Sequence, residues 1–345
     1  MLKEFWKLPS CQKLEKIQKS PNYKNNKFQN INKTPEISEW VSYIDIIRSQ
    51  LFDRHRDNDP QNPIPSIKIN LSDLDLTEFS IVRFGHSSYL IHIHGKNILV
   101  DPVFGWYASP IKLIVKSYKG SNIYTADDMP EIDLLVITHD HYDHLDCDTV
   151  TKLIPKVKSV VTGLWVWSHL EYWWYDHNII KELDRRQTFD FQDFSITWTP
   201  ARHFSGRLFI RQQTLRSSFV LQISDQKIYI WGDSWYDNHF LEIWRKFWKI
   251  DFAILECWQY NKNRKYIHMI PEETVQAAVD LGAKLVLPVH WAKFTLSTHA
   301  RYEPINRFTK QAKLQNINYI NPMIWEIYDI NIQNKNKNLR SDNIL

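Results

Sequence analysis

The stretch Thr138-His139-Asp140-His141-Tyr142-Asp143-His144-Leu145-Asp146 places three histidines and three carboxylates within nine positions. Imidazole nitrogen and carboxylate oxygen are common ligands of Zn²⁺ and related divalent ions, so residue types and spacing point to a metal site. The apolar run Leu134-Leu135-Val136-Ile137 precedes it directly and reads as a buried strand whose end opens into a polar loop. In an extended segment His139 and His141 point to one side, and a turn into a helix near Leu145 swings Asp143 and His144 towards a second point nearby. One loop can therefore serve two ions. A solvated polar loop is the plain alternative, but mere exposure gives so many imidazoles in one turn little benefit.

Three further residues stand at the ends of apolar runs: His203 after Phe194–Thr199, Asp233 after Lys227–Trp231, and His290 after Lys284–Val289. Chemistry at the C-terminal ends of strands is the usual arrangement in sheet-and-helix folds. This regularity is the main reason to expect that the distant residues converge on one site. His92 and His94 alternate with isoleucine, and an exposed strand face explains them. Trp165, His169, Trp173 and His177 recur every four residues across an expected aromatic helix, Leu164–His177, and read as core. His55, His239 and His299 are expected to be structural or exposed.

The elements that must position these residues begin at Phe79, where runs such as Ile81–Phe84, Tyr89–Ile93 and Asn97–Val100 have strand character. His94-Gly95 joins the last two as an expected hairpin. After the histidine motif, strands alternate with helices, including one over Pro271–Leu281 and one near Tyr302–Leu314, before a strand around Met323–Tyr328. The chain has 345 residues, which accommodates one large domain and an extension. Residues 1–77 are polar and read as that extension, 78–331 as the catalytic domain, and 332–345 as a disordered tail. Within the extension Trp40, Ile44, Ile47 and Leu51 follow helical spacing, predicting an amphipathic helix over Ile37–Phe52 that packs on the body, with a membrane surface as the alternative partner.

Composition narrows the function classes. Hydrophobic residues make up 43% and charged residues 24%, as in an ordinary globular protein. A net charge of +4 without a clustered basic block argues against a nucleic-acid partner. Three scattered cysteines do not make a disulfide framework, and there is no 18-residue apolar run. The expected location is cytoplasmic, at most peripheral to a membrane.

The order of the motif, His203, Asp233 and His290 resembles the metallo-β-lactamase superfamily. Within it, Gly85-His86-Ser87-Ser88, Asp101-Pro102-Val103-Phe104, Thr199-Pro200-Ala201-Arg202-His203, Trp231-Gly232-Asp233-Ser234, His268-Met269-Ile270-Pro271 and Pro288-Val289-His290-Trp291 are similar to the N-acylphosphatidylethanolamine-hydrolysing phospholipase D group. The resemblance implies an α+β fold, an αββα sandwich of two mixed β-sheets flanked by helices. It implies two Zn²⁺, with Mn²⁺ or Fe²⁺ as alternatives. His139, His141 and His203 would hold one ion; Asp143, His144 and His290 the other; Asp233 would bridge. A metal-bridging hydroxide would attack a small-molecule or lipid phosphodiester, with Asp143, Asp233 and His268 as catalytic residues and His86 orienting a ligand. Two loops depart from the group: Ser234-Trp235-Tyr236 stands where relatives favour Thr-Gly-Tyr, and Glu256-Cys257-Trp258-Gln259 replaces a Pro-Ile-Gly-Ala stretch. Substrate choice is what they put in question. A lactonase or other carbonyl-ester hydrolase is the alternative activity, and a non-catalytic metal-binding protein is the third class. Oligomeric state is not legible.

Overall fold

The computed structural model describes residues 11–71, 79–111, 114–207 and 210–330; the tail expected over 332–345 lies outside the described residues. From Ser80 the chain forms β1 (Ser80–Arg83), β2 (Tyr89–Ile93), β3 (Lys96–Val100), β4 (Leu134–Ile137), β5 (Val160–Gly163) and β6 (Ile180–Leu183). It continues through β7 (Thr188–Asp190), β8 (Phe194–Pro200), β9 (Ser217–Ile223), β10 (Gln226–Ile230), β11 (Phe252–Glu256) and β12 (Leu285–Val289), and ends in β13 (Ile327–Asp329).

These strands make two mixed sheets. The first has the order β13-β1-β2-β3-β4-β5-β6, the second β12-β11-β10-β9-β8-β7. In the first, β13 to β3 pair antiparallel and β3 to β6 pair parallel. The second has the same character, with β7 to β10 antiparallel and β10 to β12 parallel. Parallel strands need crossovers and have both faces covered, which accounts for the unbroken apolar runs Leu134–Ile137 and Phe252–Leu255, buried throughout. One core passes through both sheets, from Ile81, Leu90 and Leu135 to Ile196, Val220 and Leu287. The β2–β3 turn has φ of 47° at His94 and 71° at Gly95, the two left-handed residues that a tight hairpin of this hand requires.

Helices α1 (Cys11–Gln18), α2 (Tyr43–Phe52), α3 (Cys147–Leu153), α4 (Trp167–Tyr172), α5 (His239–Phe247), α6 (Pro271–Asp280) and α7 (Glu303–Leu314) complete the chain. Helix α6 packs on β11 and α7. The arrangement is the expected αββα sandwich.

Three local expectations are corrected. Helix α2 forms over Tyr43–Phe52 only, capped by Ser42 and Asp45, and its apolar residues point outward: Ile44 is 75% exposed, Leu51 68% and Phe52 77%, and Trp40, ahead of the helix, 75%. It does not pack its apolar stripe on the body. The aromatic helix expected over Leu164–His177 shortens to Trp167–Tyr172, because Trp165 and Trp174 take left-handed φ of 74° and 77° and turn the chain at both ends. His92 is buried and its Nδ1 meets Asn97 Oδ1 at 2.7 Å, while His94 lies in the turn, so the two do not share an exposed face.

Candidate metal centre

The site forms where strand ends of both sheets meet. Strand β4 runs straight into His139, β10 into Asp233 and β12 into His290, while His203 follows β8. Gly232 leaves room for two neighbours at once: a Cβ there would lie 2.1 Å from the Ser217 carbonyl oxygen of the adjacent strand β9 and 3.0 Å from Thr138 Cβ, at the end of β4 in the other sheet. The sheets are also joined across the site by backbone. His86 N donates to Trp291 O at 2.8 Å, and His290 N donates to His86 O at 2.9 Å. His86, Asp101 and His290 have φ of 53°, 40° and 71°. Such left-handed conformations cost about 1–3 kcal/mol each and persist where surrounding contacts hold them.

Seven sequence-predicted residues come together here. His139, His141, His203 and Asp233 offer ligand atoms that all lie within 4.8 Å of one another, and so do His86, Asp143, His144 and His290. Asp233 joins the groups. Its Oδ1 is 3.0 Å from His144 Nε2, and its Oδ2 is 3.4 Å from His290 Nε2, 3.6 Å from His203 Nε2 and 3.8 Å from His139 Nε2. A third group, Asp233, His268 and His290, brings in the remaining predicted catalytic residue.

The electrostatics fit a cation. Burial first, then neighbouring imidazoles, pushes His139 down to about 4 and His141 and His86 to about 3, which keeps these rings neutral. Burial pushes Asp233 and Asp143 up, but the charge of His144 and further histidines outweighs it and holds both well below the usual carboxylate range. His144 is the reverse case. Burial lowers it, while Asp233, Asp143 and a hydrogen bond to Asp101 raise it well above the usual imidazole value. Among the described residues, His141 Nε2 and His290 Nε2 are buried without a well-directed hydrogen-bond partner, and His144 Nε2 and Asp233 Oδ1 face only each other, 3.0 Å apart. Neutral imidazoles, ionised carboxylates and inward-facing orphan lone pairs are what a divalent cation would satisfy, with release of a proton on binding. The residues present therefore fit two metal ions.

Around these residues lies a supporting layer, of which His86 was expected to orient a ligand, while Asp101 and Glu256 were given no role. Asp101, at the end of β3, accepts from Thr138 N at 2.8 Å and meets His144 Nδ1 at 2.8 Å, so His144 Nε2 is left to face Asp233. His86 Nε2 meets Asp143 Oδ2 at 2.9 Å. Asp140, within the motif, faces away: Oδ2 is 3.6 Å from His169 Nε2, and Oδ1 accepts from Gly206 N at 2.8 Å. Glu256, at the end of β11 and fully buried, meets His268 Nδ1 at 2.8 Å and accepts from Met269 N at 2.7 Å. The signal available for Asp101 and Glu256 was the same one that found His203 and Asp233, a polar residue closing an apolar strand.

The centre opens into a cavity of about 500 Å³ lined by His141, Asp143, His203, Asp233 and His268 together with Phe204, Arg211, Arg264, Ile111 and Gln50. The last of these comes from helix α2.

Residues 96–291 match the Beta-lactamase superfamily domain. The protein Rv0906 of Mycobacterium tuberculosis is 32% identical over 89% of this chain and 83% of its own length. The N-acyl-phosphatidylethanolamine-hydrolyzing phospholipase D 1 of Caenorhabditis elegans is 28% identical over 63% of this chain and 65% of its own. The mitochondrial N-acyl-phosphatidylethanolamine-hydrolyzing phospholipase D of Saccharomyces cerevisiae is 30% identical over 64% of this chain and 49% of its own. Among solved structures, the metallo hydrolase Igni18 of Ignicoccus hospitalis superposes with a TM-score of 0.56 at 18% identity, over 73% of this chain and 98% of that one. CmlA, a diiron β-hydroxylase from Streptomyces venezuelae, superposes with a TM-score of 0.56 at 15% identity, over 74% of this chain and 55% of that one. Sandwich topology, converging strand ends and the match over more than half its length agree: the chain belongs to the metallo-β-lactamase superfamily of metal-dependent hydrolases, and is similar to the N-acylphosphatidylethanolamine-hydrolysing phospholipases D.

Proposed function

We propose that the protein is a dinuclear zinc phosphodiesterase that cleaves the headgroup ester of an N-acylated phospholipid, in the manner its phospholipase D relatives are named for. One observation carries the reading: the single Asp233 carboxylate lies against histidines of both ligand groups. His139, His141 and His203 would hold one ion, Asp143, His144 and His290 the other, with Asp233 between them. Two ions so placed acidify a shared water and neutralise charge on a phosphoryl group when bound. The protein supplies orientation. Asp101 and His86 fix the ligands His144 and Asp143. His268, held by Glu256, lines the cavity where a leaving oxygen or phosphate would sit.

A lipid substrate is supported by the surroundings of the mouth. Gln50 of α2 and Ile111 line the cavity, and Tyr43, Ile44, Ile47, Leu51 and Phe52 on the same helix are exposed, as are Trp106 and Ile114. Large apolar side chains left exposed on one helix are what a partner or membrane site requires. Peripheral contact with a bilayer would present headgroups to the cavity. Zinc-loaded protein is expected to release N-acylethanolamine from N-acylphosphatidylethanolamine in mixed micelles, with His141→Ala lowering the rate by at least 100-fold. Efficient opening of lactones with no phosphodiester cleavage would replace this reading by carbonyl-ester hydrolysis.

A further inference from the structure

Two guanidinium groups stand beside the candidate metal centre with little to neutralise them. The Phe204 ring lies 4.6 Å from the ring of His141 and 4.6 Å from that of His203, centre to centre. Against the same phenyl ring stand Arg211, its guanidinium carbon 4.8 Å from the centroid, and Arg264 at 5.2 Å. Both line the cavity into which the ligand histidines face. Arg211 reaches one carboxylate, Glu36, at 3.9 Å. Arg264 has no carboxylate within ion-pair distance among the described residues, although it is half-buried.

Both arginines are held in place by backbone. Arg211 pairs with Gly206 in a short antiparallel ladder, and Gly206 N donates to Asp140 Oδ1 of the histidine motif. Arg264 closes a short helical turn, Lys262–Arg264, that is tied to the N-terminal segment where Ser38 N donates to Asn263 O at 3.0 Å and Ser38 Oγ donates to Lys262 O at 3.0 Å. Holding two like charges near each other at a partly desolvated wall is unfavourable unless an anion comes between them. Burial first, then Arg211, weakens the hold of Arg264 on its proton, and the Glu36 carboxylate and Tyr43 offset this only in part. The aromatic face offsets only part of that cost.

We propose that Arg211 and Arg264 form an anion subsite next to the metal-ligand cluster, so that a phosphodiester carrying a second negative group, carboxylate or phosphate, on the arm that lies along Phe204 is cleaved in preference to one, such as N-acylphosphatidylethanolamine, whose arms carry none. This rests on the phosphodiesterase reading for its kinetic arm and on geometry alone for its binding arm. The phosphoryl group to be cleaved goes to the Asp233 side; the second anion takes the guanidinium hydrogens left free. No bond is made or broken at the subsite.

The kinetic arm compares three soluble 4-nitrophenyl phosphodiesters whose other arm is ethyl, carboxyethyl or phosphoethyl. The expected result is a kcat/KM for one anionic arm at least tenfold above that for ethyl, with carboxyethyl or phosphoethyl leading according to which source the site takes. Arg264→Gln and Arg211→Gln should each reduce that ratio about tenfold, the effect of one charge-assisted hydrogen bond. Arg264→Lys should restore part of it, which a folding defect would not. The binding arm measures Kd of the zinc-loaded protein for ethylphosphonate and 2-carboxyethylphosphonate by calorimetry, with the same variants. If no ester is cleaved but the carboxylate still tightens phosphonate binding through the arginines, the subsite stands and the phosphodiesterase reading falls. Equal kcat/KM and equal Kd for charged and uncharged arms, or ratios untouched by both glutamine variants, would overturn the subsite.

Discussion

The residue that most sharply tests the candidate centre is one that holds no ion itself. Asp101 fixes His144 through Nδ1 and is itself fixed by the backbone N–H of Thr138. A carboxylate behind a ligand imidazole sets its tautomer and raises its basicity, and removing such a partner lowers metal affinity about 10–100-fold. Asp101→Asn keeps the shape and removes the charge, so chelator competition should show zinc affinity falling within that range while the fold persists. Unchanged affinity would mean that His144 is oriented by other contacts. At this scale the sequence was uneven. His139 to His144 announce themselves by crowding, and His203, Asp233 and His290 by closing apolar strands. Asp101 and Glu256 close strands too, yet a lone carboxylate has no internal spacing, and Asp101 lies 43 residues from the imidazole it serves. Asp140, one of the three carboxylates of the motif, was assigned no ion, and it turns to His169 and Gly206, partners far along the chain.

Among the elements, strands were legible because burial on both faces leaves continuous apolar runs with no other explanation. Helix α2 shows the limit. Its period of apolar residues was correct, but periodicity says only that one face is apolar, not what covers that face. Among the described residues nothing does, for Ile44, Leu51 and Phe52 remain mostly exposed while Gln50 reaches Leu296 O and lines the cavity. Transfer of an exposed apolar side chain out of water is worth about 1.5–3 kcal/mol when complete. Ile47→Asp and Leu51→Asp should therefore each reduce binding to phospholipid vesicles at least tenfold in co-sedimentation. Because neither side chain is buried, thermal stability should change by no more than about 0.5 kcal/mol. Loss of self-association with vesicle binding unaltered would assign the face to a second copy of the chain.

At the level of the whole molecule, the N-terminal segment was read as an extension, and the start of its described part is bound to the edge of the first sheet. Lys13 pairs with Glu171 at 3.1 Å, Lys16 with Glu182 at 3.6 Å, and Ser20 Oγ donates to Asp184 at 2.9 Å. Glu182, on β6, also accepts from Trp165 N at 2.5 Å. Burial pushes its carboxyl up to about 7, against the pull of Lys16 and of the Trp165 N–H. The sign follows from proton counting. Between the unfolded value of about 4.5 and the folded value of about 7, the native state keeps a proton that the unfolded chain releases. The stabilising contribution is complete below about pH 4.5 and is lost as pH rises through about 7. Glu182→Gln keeps an acceptor for Trp165 and cannot ionise. The difference in stability, wild type minus variant, should thus decline between pH 4.5 and 8 by up to about 3 kcal/mol, the upper bound set by the size of the shift. In paired melting curves that is a relative fall of order 5 °C, with other titrating groups cancelling between the two proteins. A difference independent of pH would show that Lys16 and the N-terminal segment hold Glu182 ionised throughout, making this edge contact a full ion pair and the segment a stronger clamp on the sheet.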